Sequence, residues 1–295
     1  MHVAPITSRL VTRSHHVRMT ASTRAVRSAW HLPELPRPTA TVAAVDRETM
    51  LEADRIATDR LGLGLLQMME NAGRELADLT RQALGDSVVG RSIVVLAGTG
   101  NNGGGGLVAA RRLAGWGADV CVAFARPILR LRPGPCAQLE PLLAAGVRTA
   151  VAGVDRSYPE LAMEITAADA VIDALIGYTL RGAPDGAYQP LMGIAGLGPG
   201  PVISLDLPSG IDATTGERPG AAVPADMTLA LALPKRGGQV GEGPRFAGAQ
   251  YLADIGIPAS VFDVLGVVQA PRFAEGPILR LPEPAGPGAA AFSRT

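Results

Sequence analysis

Residues 92–107 read SIVVLAGTGNNGGGGL, an apolar run that passes straight into a stretch with glycine at six of its last ten positions. The run at 92–97 has the length and β-branched content of a buried strand, and the residues after the glycines take helical spacing. A strand, a glycine-rich turn and a helix in that order predict a phosphate-binding turn. Glycines admit positive φ there and let backbone amides approach an anion at the helix N-terminus. Gly98, Gly100 and Gly103 also spell Gly-x-Gly-x-x-Gly, a weak signal alone.

Working outward, strand-like runs are expected at 119–125, 147–151, 169–175, 201–206, 227–233 and 250–254. Helical spacing is expected over 46–62, 64–84, 104–116, 136–145, 158–168 and 186–196. Continuous apolar strands alternating with helices imply an α/β fold, a doubly wound parallel sheet covered on both faces. The expected domain runs from 43 to 267. Residues 1–42, rich in Arg, Ser, Thr and Pro with almost no acid, are expected to form a disordered or processed extension. The Pro/Gly-rich tail 268–295 is expected to fray.

Composition removes several classes of function. The chain carries 27 basic and 27 acidic residues, so no field for a polyanion is built, and nucleic acid is not an expected partner. No apolar run reaches a membrane span, and two cysteines, Cys121 and Cys136, suit a reducing, cytoplasmic setting better than a disulfide framework. All four histidines lie within the first 31 residues, which leaves the body without a Ser-His-Asp triad or a histidine metal site. Lys235 is the single lysine, placed in a loop where solvation is the expected fate.

In an open α/β sheet ligands bind beyond the carboxyl ends of the strands. Three polar groups stand there: Asn101 and Asn102 in the glycine loop, Asp173 inside an apolar run, and Asp206 with Ser209 in LDLPSGID. A carboxylate within an apolar strand is costly unless paired, hydrogen-bonded or bound to a cation. Amide, carboxylate and hydroxyl oxygens without thiolate suit a hard cation. The second strand ends FARP, with no carboxylate for a ribose, although Arg126 could meet a 2′-phosphate.

GTGNNGGGGLVAARRL resembles the G-x-G-N-N-G-G-D-G-x-x-x-A-R-x-L signature of the YjeF N-terminal domain, the NAD(P)H-hydrate epimerases. MMENAGRELADL (68–79), VIDALIGYTLRG (171–182), SLDLPSGIDATTGE (204–217), ALPKRGG (232–238) and ADIGIP (253–258) extend the likeness over about residues 46–262. The resemblance implies a Rossmann-like three-layer α/β/α sandwich with a mostly parallel central sheet, acting as a homodimer. It implies interconversion of the R and S epimers of hydrated NADH and NADPH (NAD(P)HX), with a hydroxyl on C6 of the nicotinamide ring. A separate dehydratase specific for the S epimer would then restore the coenzyme. The family motifs place the dinucleotide on Asn101, Asn102, Gly103, Gly104 and Gly105. They place a closing segment at Gly177, Tyr178, Thr179, Leu180, Arg181, Gly182 and Ala183. Asp206 would stand beside the reacting ring with Arg181 as a second catalytic group. Asn102, Asp173 and Ser209 would hold a potassium ion.

The chain departs from the signature at Gly105, where the family has Asp. That leaves a second reading open, a catalytically degenerate relative that binds nucleotides or scaffolds. A NAD(P)-dependent oxidoreductase is the reading from a different class, but the body offers no histidine and no Tyr-x-x-x-Lys pair. A mononucleotide kinase would need Gly-Lys-Ser/Thr after the glycines, which is absent.

Overall fold

The computed structural model describes residues 30–268 and 270–283. Seven strands, β1 (Ser92–Ala97), β2 (Asp119–Phe124), β3 (Arg148–Val151), β4 (Ala170–Ala174), β5 (Val202–Leu205), β6 (Met227–Leu231) and β7 (Ala249–Ala253), pair in parallel. An antiparallel β8 (Ile278–Arg280) closes the edge, and the order is β3-β2-β1-β4-β5-β6-β7-β8. The chain runs outward from β1 through β2 to β3, then crosses back to β4 on the other side of β1. That reversal makes the carboxyl ends of β1 and β4 the topological switch point, where such sheets open a crevice.

Both faces are covered, as continuous apolar strands require. On one face lie α1 (Arg47–Arg55), α2 (Leu65–Ala83), α3 (Asn101–Gly115), α4 (Pro133–Ala144) and the short α8 (Ala259–Val264). The other carries α5 (Tyr158–Ala167) and α6 (Gln189–Ile194). Alternate residues of one strand serve the two cores: Ile93, Val95 and Ala97 face the first, Val94 and Leu96 the second. A five-residue α7 (Gly243–Ala247) packs beyond β6. The expected three-layer α/β/α architecture is therefore the observed one. A π-helical turn at Ile56–Arg60 interrupts the helix expected over 46–62.

The chain ends differ from expectation. Ile278–Arg280 in the tail is the edge strand, with Arg280, Leu279 and Ile278 opposite Tyr251, Leu252 and Ala253. Residues from Trp30 are also part of the fold. Tyr251 Oη donates to Pro33 O (3.1 Å), His31 N donates to Ala83 O (3.1 Å), and Arg280 N donates to Pro36 O (2.8 Å). Composition failed here because β7 offers an open row of backbone groups, and pairing an edge outweighs weak local propensity. The remainder of both predicted end segments, 1–29 and 284–295, lies outside the described residues.

Candidate active site

The glycine loop enters α3 at Asn101, four residues after β1 ends. Its glycine density also has a cause in packing. A Cβ on Gly103 would sit 2.0 Å from Gly98 O, and one on Gly106 2.5 Å from Ala174 Cβ. A Cβ on Gly104 would meet Met69 Sδ at 2.5 Å. These glycines let α3 press on its own turn, on β4 and on α2. Of the loop, Thr99, Gly100, Asn101, Asn102 and Gly105 line the cavity at the switch point, whereas Gly103 and Gly104 are buried and do not line it.

That cavity measures about 430 Å³, within the range of small-molecule sites. Its lining combines apolar side chains, among them Met68, Met69, Ala72 and Leu205, with the charged Asp54, Asp206 and Lys235. A Cβ on Gly105 would come within 2.7 Å of Leu205 Cδ2. The side chain of Leu205 thus occupies space that a residue larger than glycine would need.

Asp206 follows β5 with φ +71°, a left-handed conformation that a non-glycine residue adopts only when its surroundings hold it there. Its Oδ2 accepts the amide of Tyr178 (3.0 Å). Its Oδ1 meets the ammonium of Lys235 as an ion pair without the alignment of a hydrogen bond. The Lys235 and Asp206 side chains are only 1% and 4% exposed. Lys235 Nζ also donates to Leu231 O (2.8 Å), and it lies 5.5 Å from the centroid of the Tyr178 ring. The expectation of a solvated Lys235 is thus overturned. The lysine follows β6 and is drawn inward because Asp206 would otherwise be a buried charge without a partner.

Tyr178 extends across the cavity wall, and its hydroxyl donates to Asp54 Oδ2 on α1 (2.5 Å). Burial holds the Asp54 carboxyl above the usual carboxylate range, against the opposing pull of the Tyr178 hydrogen bond and Lys235. Burial, with Asp54 beside it, likewise raises the Tyr178 phenol.

Asp173 is fully buried in β4. Its carboxylate accepts from Ser204 Oγ (2.7 Å), Ser209 N (2.9 Å), Ser209 Oγ (2.6 Å) and Leu175 N (3.2 Å). Burial still pushes its pKa upward, since hydroxyls and amides only partly replace water. Ser209 Oγ accepts Ile176 N (2.8 Å), which ties the end of β4 to the loop after β5. Asn102 Nδ2 is buried without a hydrogen-bond partner, and its Oδ1 and Asp206 Oδ2 flank Gly177.

Gly177, Tyr178, Thr179, Leu180, Arg181 and Ala183 line the cavity, as expected of the segment, but Gly182 does not. The side chain of Arg181 is 72% exposed, 3.9 Å from Glu48 at the mouth. Arg181 and Asp206 line the same cavity, the first largely exposed and the second almost fully enclosed. Arg126 is held by Asp185 (2.6 Å) and lies over the Tyr188 ring, so it is not a free receptor for a 2′-phosphate. Sequence reasoning missed Lys235 and Asp54 as site residues. Lys235 carried a signal, as the single lysine within a family motif; Asp54 carried none, because its role depends on Tyr178.

A parallel sheet with a glycine loop and a strained, ion-paired carboxylate at its switch point defines a Rossmann-like α/β domain built around a polar crevice. Residues 65–237 match the family described as YjeF-related protein N-terminus, and the chain belongs to that family. It is 46% identical over 219 residues to the NAD(P)H-hydrate epimerase of Dehalogenimonas lykanthroporepellens, covering 74% of this chain and 84% of the relative. It is 38% identical over 198 residues to the bifunctional NAD(P)H-hydrate repair enzyme Nnr of Hyperthermus butylicus, covering 67% of this chain and 36% of that one. The crystal structure of yeast ynu0 shares the fold, with a TM-score of 0.67 and 22% identity over 81% of this chain and the whole of the yeast chain.

Proposed function

We propose that the protein is an NAD(P)H-hydrate epimerase, converting R- to S-NAD(P)HX at the cavity between β1, β4 and β5. The observation that carries this reading is Asp206, strained, ion-paired to Lys235 and open to a crevice that also receives Asn101 and Asn102. The similarity to named epimerases supports it.

Epimerisation at C6 requires the C6–O bond to break and reform on the opposite face. The ring nitrogen lone pair stabilises the cation left when the hydroxyl departs, and water then attacks that cation. The Asp206 carboxylate faces this charge and takes a proton from the incoming water. Lys235, ion-paired to Asp206, holds that carboxylate in place. The apolar side chains of Met68, Met69 and Leu205 exclude bulk water, and Arg181 at the mouth suits a phosphate of the dinucleotide. No electrons leave the substrate.

Potassium belongs to the same proposal. The oxygens of Asn102, Asp173 and Ser209 are of the kind a hard monovalent cation takes, and among the described residues buried Asp173 is hydrogen-bonded by hydroxyls and amides rather than by a cationic side chain. When bound, the ion would neutralise Asp173 and fix the Ile176–Gly177 turn. Homodimeric assembly, a cytoplasmic location and coupling to a separate dehydratase complete the reading. The bifunctional names of relatives support the coupling, and no helix among the described residues is long and apolar enough to cross a membrane.

The test is to supply R-NADHX and resolve the epimers by chromatography. The reading requires S-NADHX to form faster than in buffer, and Asp206→Asn to remove the excess. A wild-type rate no higher than buffer would leave the degenerate, nucleotide-binding alternative.

A further inference from the structure

The proposed reaction poses a problem of proton supply that Asp206 alone does not solve. A hydroxyl leaving C6 from one face must be protonated there, because free hydroxide is a poor leaving group. The water attacking from the other face must lose a proton on its own side. One fixed carboxylate serves one face. The known solution at a comparable carbon, bonded to a departing oxygen and stabilised by a neighbouring lone pair, is a pair of carboxyls on opposite sides. Inverting glycoside hydrolases set theirs roughly 6.5–9.5 Å apart, one protonated and one ionised.

The cavity holds two carboxyls. Asp54 from α1 and Asp206 after β5 both line it, and Tyr178 separates them along its length. The tyrosine amide donates to Asp206 Oδ2 (3.0 Å), while its hydroxyl at the far end donates to Asp54 Oδ2 (2.5 Å). The environments are unequal. Lys235 forms its ion pair with Asp206, whereas Asp54 accepts a hydrogen bond from a phenol. Where two carboxyls stand in unequal environments, the acid and base roles divide between them.

Resting on the epimerase reading, we infer that Asp54 is the second acid–base group of the reaction, acting from the face of the ring opposite Asp206. In the R-to-S direction, protonated Asp54 gives its proton to the C6 hydroxyl as the C6–O bond breaks, and the bonding pair leaves with water. Water then adds from the Asp206 side and loses its proton to that carboxylate. Proton exchange with solvent resets the two groups, and the reverse direction exchanges their roles. The upward displacement of the Asp54 carboxyl by burial is in the sense this role needs. The titratable groups that act on Asp54 from other elements are Tyr178, Lys235 and Asp206, and Arg132, Arg181 and Asp185 line the same cavity.

The experiment compares wild type, Asp54→Asn and Tyr178→Phe for R-NADHX epimerisation across pH, with thermal melting and NADH binding measured on each. In wild type the excess rate falls as pH rises through the Asp54 pKa, since the acid is lost. Asp54→Asn lowers kcat by about 10²-fold or more, the usual share of a positioned acid, with melting and NADH binding retained. Tyr178→Phe removes a hydrogen bond that favours the Asp54 anion, so the alkaline fall moves to higher pH. A packing role for Asp54 would move none of these pH limbs. An Asp54→Asn variant that keeps kcat within about threefold, or an alkaline limb unmoved in Tyr178→Phe, overturns the assignment and leaves the epimerase reading intact. Wild type no faster than buffer overturns both.

Discussion

Replacing Lys235 with Met keeps most of the side-chain volume and deletes the charge beside Asp206. Both partners are almost fully enclosed, at 1% and 4% exposure, so their mutual attraction is weakly screened. Removing one member of a buried ion pair costs about 3–5 kcal/mol, because the other charge stays desolvated. For a chain of this size each kcal/mol lowers Tm by about 2–4 °C, so Lys235→Met should melt roughly 6–20 °C below wild type. Asp206→Leu removes the stranded charge, and the double variant Lys235→Met/Asp206→Leu should recover more than about 2 kcal/mol relative to the sum of the single changes. Urea unfolding of all four proteins closes this cycle. Additive effects, or a Lys235→Met penalty under about 1 kcal/mol, would refute the ion pair as a stabilising element of the site.

Four further outcomes follow from the structure. Gly103→Ala places a Cβ against the fixed Gly98 carbonyl, and should cost at least about 2 kcal/mol by thermal shift. Gly100→Ala meets no atom within 4 Å and should stay within about 0.5 kcal/mol. Raising potassium should raise the wild-type Tm by preferential binding to the folded state, and Asp173→Asn should abolish that response while itself costing about 1–3 kcal/mol in lost acceptors. Burial pushes the Cys121 thiol up to about 11, so at pH 8 a thiol reagent should label one site per native chain, the exposed Cys136, and a second only after unfolding.

The sheet was legible because its strands are short apolar runs buried on both faces, and the glycine loop marks the switch point without ambiguity. Asp173 and Asp206 were legible for the opposite reason, as carboxylates where an apolar pattern leaves them no solvent. The chemistry that escaped reading depends on distant partners. Lys235 reads as a loop residue until β6 is placed beside β5 and brings it to Asp206. Asp54 sits on a helix with ordinary amphipathic spacing, and only the reach of Tyr178 turns it into a site residue. The loop glycines were assigned to phosphate contact, and Gly103, Gly104 and Gly106 are also required by how closely α3 meets its neighbours. Edge pairing likewise placed Ile278–Arg280 in the sheet against its local composition.

The most direct measurement runs the wild-type protein on R-NADHX in oxygen-18 water and follows both the appearance of the S epimer and the label at C6. The account predicts S-NADHX forming above the buffer rate, with one solvent oxygen incorporated for each catalysed inversion. Catalysed inversion without label would contradict cleavage of the C6–O bond, and no rate above buffer would contradict epimerisation itself.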